Sequence, residues 1–393
     1  MTDALAATLA RARRRGAFLA VAGLLGTALG ALFDPRAALV GWLVAFLFWL
    51  GLSLGCLGLL MVHLLSGGRW GLVVRRPLES GARMMPLLAL AFVPLAIGAA
   101  RLYPWAAPPA LLDETLAHQH AYLNVPFFII RGALYFAIWN WLTSAVTGRL
   151  RRQDDEWDEA RASQARRLAA GGLIIYALTI TLAGTDWVMS LEPHWFSTIL
   201  GLLLMAGQGL LALALVIVVA AALRHEPALR PVLTPDRFHD LGKLLLAFVM
   251  LWAYMAFSQF LIIWAENLPE ETSWYVQRAT LFWQLWAAGL ALFHFAVPFL
   301  VLLSRRVKRR IDPLVRLATA LLVVRFLDFI WLVVPSGRVD TALACWLAVA
   351  SLLAVGGAWT AGFTRALAAH PLLPRHDPEL ALLGDVTPQP THP

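Results

Sequence analysis

Residues 239–275 read HDLGKLLLAFVMLWAYMAFSQFLIIWAENLPEETSWY, and they decide what kind of molecule this is. The apolar run is long enough to cross a bilayer, which takes roughly 20 such residues, and no proline interrupts it. Yet His239, Lys243, Tyr254, Ser258, Gln259 and Glu266 punctuate its start, middle and end. In a helix, Lys243 and Tyr254 lie three turns apart and share a face, with Ser258 one turn further on. A lysine and hydroxyls are costly in lipid, so that face is expected against protein or water.

The rest of the chain repeats the theme. Of 393 residues, 60% are hydrophobic and 14% charged, against about 25% charged in a soluble domain. Apolar runs of spanning length fall near 16–33, 37–65, 84–105, 122–147, 168–190, 197–223, 240–265, 279–303, 314–335 and 341–363. An all-α polytopic protein with ten transmembrane helices is the expectation. It divides into an N-terminal segment 1–15, a membrane domain 16–365 and a Pro-rich tail 366–393, expected to be poorly ordered. Pro86 and Pro94 are expected to kink the third span.

The net charge of +8 sits in connections, so nucleic acid is not the implied partner. Arg11, Arg13, Arg14 and Arg15 open one side, and Arg75, Arg76, Arg151, Arg152, Arg305, Arg306, Arg365 and Arg375 follow on it. The other side holds only Arg36, Arg101, Arg278 and Arg338. By the positive-inside rule both termini are expected in the cytoplasm. Tyr103, Trp105, Trp187, Trp195, Trp264, Trp274 and Tyr275 are expected as an interfacial belt on the opposite side. The mixed-charge stretch RLRRQDDEWDEARASQARR (149–167) reads as a surface helix or helix extension.

Cys56 and Cys345 lie in apolar runs, with no metal- or haem-attachment spacing. His63 and His294 could together ligate a b-type haem, though single histidines on apolar helices are more often core residues. No nucleotide-binding or metalloprotease motif is present. The chain is expected to hold no redox cofactor by itself.

Four places put ionisable groups at membrane depth. The first is the 239–266 stripe, a proton or quinone-headgroup path from Lys243 to Glu266. In its plainer reading Lys243 snorkels and Tyr254 and Ser258 bond carbonyls. The second is Arg325 and Asp328, at i, i+3 on one face, either a salt bridge or a relay in which Asp328 exchanges protons. The third is GTDWVMSLEPHWFSTI (184–199), where Asp186, Glu192 and His194 are expected to cluster at an interfacial break made by Pro193. The fourth is His120, Asn124, Arg131 and Tyr135, along one helical face.

At GTDWVMSLEPHWFSTI and LGKLLLAFVMLWAYMAFSQFLIIWAENLPEETSWY the chain resembles the ActF-type membrane subunits of alternative complex III. These belong to the NrfD/PsrC-like integral membrane family. The resemblance implies two four-helix bundles, spans two to five and six to nine, flanked by the first and last helices. It implies a place in a bacterial cytoplasmic-membrane quinol:electron-acceptor oxidoreductase, respiratory or photosynthetic. Partners would be a paralogous quinol-oxidising subunit, an iron–sulfur subunit and c-type cytochromes, with haem c and iron–sulfur clusters on those partners. The chain itself would bind quinone, conduct protons, or both. Its residues suggest a proton path through His239, Lys243, Tyr254, Ser258, Arg325, Asp328, Asp186, Glu192, His194 and Glu266. Arg131, Tyr135, Asp186 and His194 are the candidates for quinone contact. A secondary transporter and a purely structural anchor for redox subunits are the alternatives.

Overall fold

The computed structural model describes residues 2–108, 113–154, 156–374, 376–378 and 380. Part of the expected 104–121 loop, Arg375 and most of the distal tail lie outside the described residues. The helices are α1 (Asp3–Phe33), α2 (Pro35–Ser66), α3 (Arg69–Ala82), α4 (Met85–Ile97), α5 (Ala99–Leu102), α6 (Glu114–Gln119), α7 (Val125–Arg152) and α8 (Glu159–Trp187). They continue with α9 (Leu200–Leu223), α10 (Pro235–Glu266), α11 (Pro269–Val276), α12 (Leu281–Leu290), α13 (Val297–Leu303), α14 (Arg305–Arg309), α15 (Ile311–Val333) and α16 (Thr341–Ala368). A π-helical turn, Ala291–Ala296, joins α12 to α13. Ten helical stretches are long and apolar enough to span a bilayer, one for each run expected from the sequence. The protein is an all-α polytopic membrane protein.

Helix α2 is the axis of the molecule. It is apolar all round, the pattern of a fully buried helix, and 94% of its most hydrophobic window is buried. Small residues let its neighbours come close. A Cβ on Gly55 would collide with the Gln208 carbonyl of α9, so the two backbones touch there. Around α2 the chain forms two bundles. The first is α2 with the α3–α4 stretch, α7 and α8; the second is α9, α10, the α12–α13 stretch and α15. α9 and α15 pack on α2 to join them, and α1 lies along α16 on a further side of α2.

The third span begins at Arg69, well before residue 84. Arg75, Arg76, Glu79 and Pro77 hide its first half from a hydropathy reading. In place those charges cancel one another. Arg75 Nε donates to Glu79 Oε1 at 3.1 Å, and Arg76 Nη1 donates to Glu79 Oε2 at 2.8 Å. Pro77 and Pro94 stand inside helices, and Pro86 opens α4 beside the break at Arg83 and Met84, so the expected kink is a break.

Part of the tail docks on the same network. Arg75 donates to Asp377 at 3.0 Å, Arg76 to the Pro371 carbonyl at 2.9 Å and also to Asp154, while His376 meets the Asp154 carbonyl. The described tail residues 371–374 and 376–378 lie against this network, because buried arginines need oxygen partners. The 149–167 stretch forms the end of α7, a turn, and the start of α8.

The aromatic belt is also corrected. Tyr103, Trp105, Trp187, Trp195 and Trp274 are buried, Tyr275 is half-buried, and Trp264 is exposed. Tyr103 and Trp187 have turned inward, with the Tyr103 hydroxyl on the Trp187 carbonyl at 3.2 Å.

Candidate functional site

Each bundle encloses an arginine with an aspartate, and the two pairs differ in what surrounds them. In the first bundle, Asn124 caps α7 by accepting from Phe127 N at 2.9 Å. That start places Arg131 and Tyr135 one turn apart, facing the last turn of α8. Arg131 donates to both Asp186 oxygens, from Nε at 2.8 Å and Nη2 at 2.9 Å, and the Tyr135 hydroxyl donates to Oδ2 at 2.8 Å. The remaining Arg131 Nη1 donates to the Tyr122 carbonyl at 2.8 Å, and the guanidinium lies 3.8 Å from the Tyr122 ring centroid. This carboxylate is saturated and wholly buried. The spacing of Arg131, Tyr135 and Asp186 thus does converge. Its chemistry is that of a clasp between α7 and α8.

The expected cluster of Asp186, Glu192 and His194 does not form. Helix α8 ends at Trp187 and the chain passes through a 3₁₀ turn, Met189–Leu191, so successive side chains leave in different directions. Asp186 points into the first bundle. Glu192 is buried and accepts from Gln277 Nε2 at 2.8 Å, at the end of α11. His194 is half exposed and pairs with Asp113 at 3.0 Å. It takes no part in the Arg131 site.

The second bundle holds the cavity. Helix α10 packs on the π-turn and α13, and residues of both α10 and α12 line a gap beyond them. The gap has a volume of about 810 Å³, is mostly apolar, and is open on one side. Its mouth carries Tyr254, Phe257 and Phe260 of α10, all exposed on the outer surface of the bundle. Arg325 and Asp328 of α15 line it and form an ion pair with each other. Arg325 is held against α9 because residue 207 is glycine; a Cβ there would strike the guanidinium.

Helix α11 forms one end of the cavity. Asn267, with φ of 50°, ends α10 in a left-handed cap, and Pro269 starts α11 two residues later. Trp274 of α11 then stacks on Trp195, ring centroids 5.1 Å apart, and meets Trp331 of α15 edge-on at 4.9 Å. Arg278 pins this end. It donates to the carbonyls of Trp274, Trp331 and Leu332 and to Ser336 Oγ, at 2.8 to 3.2 Å, and lies over the Trp274 ring at 3.6 Å. Burial pushes the Arg278 guanidinium down to about 9, opposed by the Glu192 carboxylate and the Tyr275 phenol. Burial raises the Tyr275 phenol to about 12. Gln259, also lining the cavity, accepts from Ser197 Oγ at 3.0 Å.

Behind the cavity sits His294, on the π-turn. It is fully buried against Trp252, ring centroids 3.8 Å apart, and neither ring nitrogen has a partner. His63 lies elsewhere, at the end of α2 against Trp70 of α3. Each histidine has its own packing, and among the described residues no group of three or more His, Cys, Asp or Glu is placed to hold a metal.

The stripe on α10 divides. Tyr254 is at the cavity mouth and Ser258 is half-buried beyond it. Lys243 is exposed and pairs with Asp240 at 3.1 Å, in a separate cleft with Arg69, Asp236 and Arg237. His239 is half-buried in that same region, and Glu266 is exposed at the opposite end. An enclosed face from Lys243 through Tyr254 is therefore not formed within this chain; α10 turns its Tyr254 side outward because Leu241, Leu245, Val249 and Trp252 occupy its inner face. The sequence marks Trp274 only as a belt aromatic and does not show that it closes the cavity. Arg278 stood out only as a rare arginine on the charge-poor side; the π-turn left no sequence signal.

Compared with known proteins, the chain matches no family model and no curated sequence. What the fold and the site define is a class: a ten-span helical membrane protein with a lateral apolar cavity walled by a buried ion pair.

Proposed function

We propose that this chain is the membrane subunit of a quinol:electron-acceptor oxidoreductase of the alternative complex III type, and that its second bundle binds the quinone. The observation that carries this is the cavity between α10 and α12. A lipid-soluble ring with an apolar tail needs a mostly apolar pocket, a few polar groups deep inside, and an entrance from the bilayer. Tyr254, Phe257 and Phe260 would flank that entrance, and Arg325, Asp328 and Gln259 supply the polar groups. Asp328 would exchange a proton with a bound quinol, with Arg325 balancing its charge. At the α11 end, Glu192 and Gln277, joined by a 2.8 Å hydrogen bond, would offer a polar exit. Electrons would pass to haem and iron–sulfur centres on partner subunits.

A transporter reading is less well supported. Alternating-access folds place broken helices at matching positions in two repeats. Here the α3–α4 break falls in the second span of the first bundle, and the π-turn falls in the third span of the second.

The test is quinone retention. The complex purified from membranes is expected to copurify with haem and iron, and to yield quinone on extraction. Asp328→Leu combined with Arg325→Met is expected to weaken quinone affinity at least about tenfold, roughly 1.4 kcal/mol, and to lower the quinone recovered on extraction. A colourless single chain, or full quinone retention in the double variant, would remove the proposal.

A further inference from the structure

A second cleft of about 610 Å³ lies between α1, α16 and Trp49 of α2. One face of α1 supplies Thr8, Arg11, Arg15 and Leu19, spaced three, four and four residues apart, so they align along the helix. Leu352 and Leu353 of α16 complete the apolar end, near Leu19. From Thr8 to Leu19 the cleft runs about 16 Å along the helix. Its charged end coincides with the arginine-rich end of the molecule and its apolar end points into the membrane zone.

The arginines of this cleft differ from the buried arginines that are paired with acids. Arg75, Arg76, Arg131 and Arg325 each meet a carboxylate. Among the described residues, Arg11 and Arg15 meet none; Arg11 donates only to Thr8 Oγ1, at 3.2 Å. Among the described residues, no acidic side chain lines the cleft. Two unpaired cations one turn apart, set over an apolar channel at a membrane edge, match one kind of molecule in both charge and shape.

We propose that this cleft is a binding site for one anionic phospholipid. Its phosphate is held between Arg11 and Arg15, and an acyl chain lies along Leu19, Leu352 and Leu353. A free phosphate would use the arginines and leave the apolar channel empty. A zwitterionic lipid would bring a second cation to a site with no acid to receive it.

The experiment uses the full-length protein, delipidated in mild detergent and titrated with phosphatidylglycerol or phosphatidylcholine of identical chains, read by native mass spectrometry. One phosphatidylglycerol is expected to bind in preference to phosphatidylcholine, and inorganic phosphate is expected not to displace it. Arg11→Gln with Arg15→Gln should weaken it roughly thirtyfold, each arginine being worth about a factor of five at an anionic surface. Arg13→Gln with Arg14→Gln removes the same charge outside the cleft and should change affinity by less than about threefold. Equal losses in the two double variants, equal binding of the two lipids, or displacement by inorganic phosphate would each overturn the assignment. All four arginines are exposed, so the variants are expected to fold.

Discussion

Arg131 and Arg325 are both buried, each beside an aspartate, yet they are built for different ends. Arg131 has every acceptor it needs: two carboxylate oxygens and a carbonyl, with Tyr135 completing the aspartate. Arg325 has one carboxylate, leaves its Nε without a partner, and borders a cavity. Removing one member of a buried pair strands the other charge, which costs about 3–5 kcal/mol. Arg131→Met is therefore expected to destabilise by that amount in chemical or thermal unfolding. Arg325→Met should do the same, while Arg325→Met with Asp328→Leu should recover most of the loss, because two apolar side chains of similar volume leave no charge unpaired. Recovery of stability without recovery of quinone would separate the functional part of this pair from its structural part. Arg278 belongs to the same scale. Its folded value lies below its ordinary one, so the unfolded chain binds more protons between about pH 9 and the ordinary arginine range. The cost of burying its charge is present in full below pH 9 and is relieved only as pH rises above it. Arg278→Gln is expected to remove any such rise in stability above pH 9, measured by unfolding at fixed ionic strength.

At the scale of elements, the cavity exists because α10 and α12 part company beyond the π-turn. A π-turn is a rare local distortion, often kept at functional sites, and here it carries His294 inward against Trp252. Filling the gap from α12 should close it without disturbing either bundle. Ala288→Trp is expected to reduce quinone binding about tenfold or more and to leave unfolding within about 1 kcal/mol of the parent. The helices themselves were legible in the sequence, because a bilayer demands long apolar runs and the chain supplies ten. The Arg325–Asp328 pair was legible too, since i, i+3 spacing fixes which side chains meet. Less legible were contacts made across helices. Nothing in residues 84–105 announced that the third span starts at Arg69, because its charges cancel against Glu79, Asp154 and Asp377 only once the chain has folded. The α10 stripe misled for the opposite reason. Periodicity showed that Lys243 and Tyr254 share a face, and could not show that this face looks outward.

For the molecule as a whole, α2 organises two bundles around one axis, with α1 and α16 as an outlying pair. Ten spans require both termini on one side. From the arginine bias we propose that this side is the cytoplasm. Reporter fusions at the N-terminus and after residue 368 are therefore expected to give the same cytoplasmic signal; opposite signals would mean an odd number of spans. Large apolar side chains stand exposed along α1, α7, α10 and α12, as expected of helices that meet lipid. The docked tail closes the arginine-rich end of the first bundle. Asp377→Ala should loosen it, raising protease sensitivity after Ala368 while leaving quinone binding intact.

All of this turns on whether the gap between α10 and α12 receives a quinone ring. The most direct measurement is photolabelling of the purified complex with an azido-quinone, followed by peptide mapping. Label is expected on α10, α12 or α15, near Trp252, Tyr254, Ala288 or Asp328, and excess quinol should suppress it. Label confined to α7 and α8 around Arg131 and Asp186, or label that quinol does not displace, would contradict it.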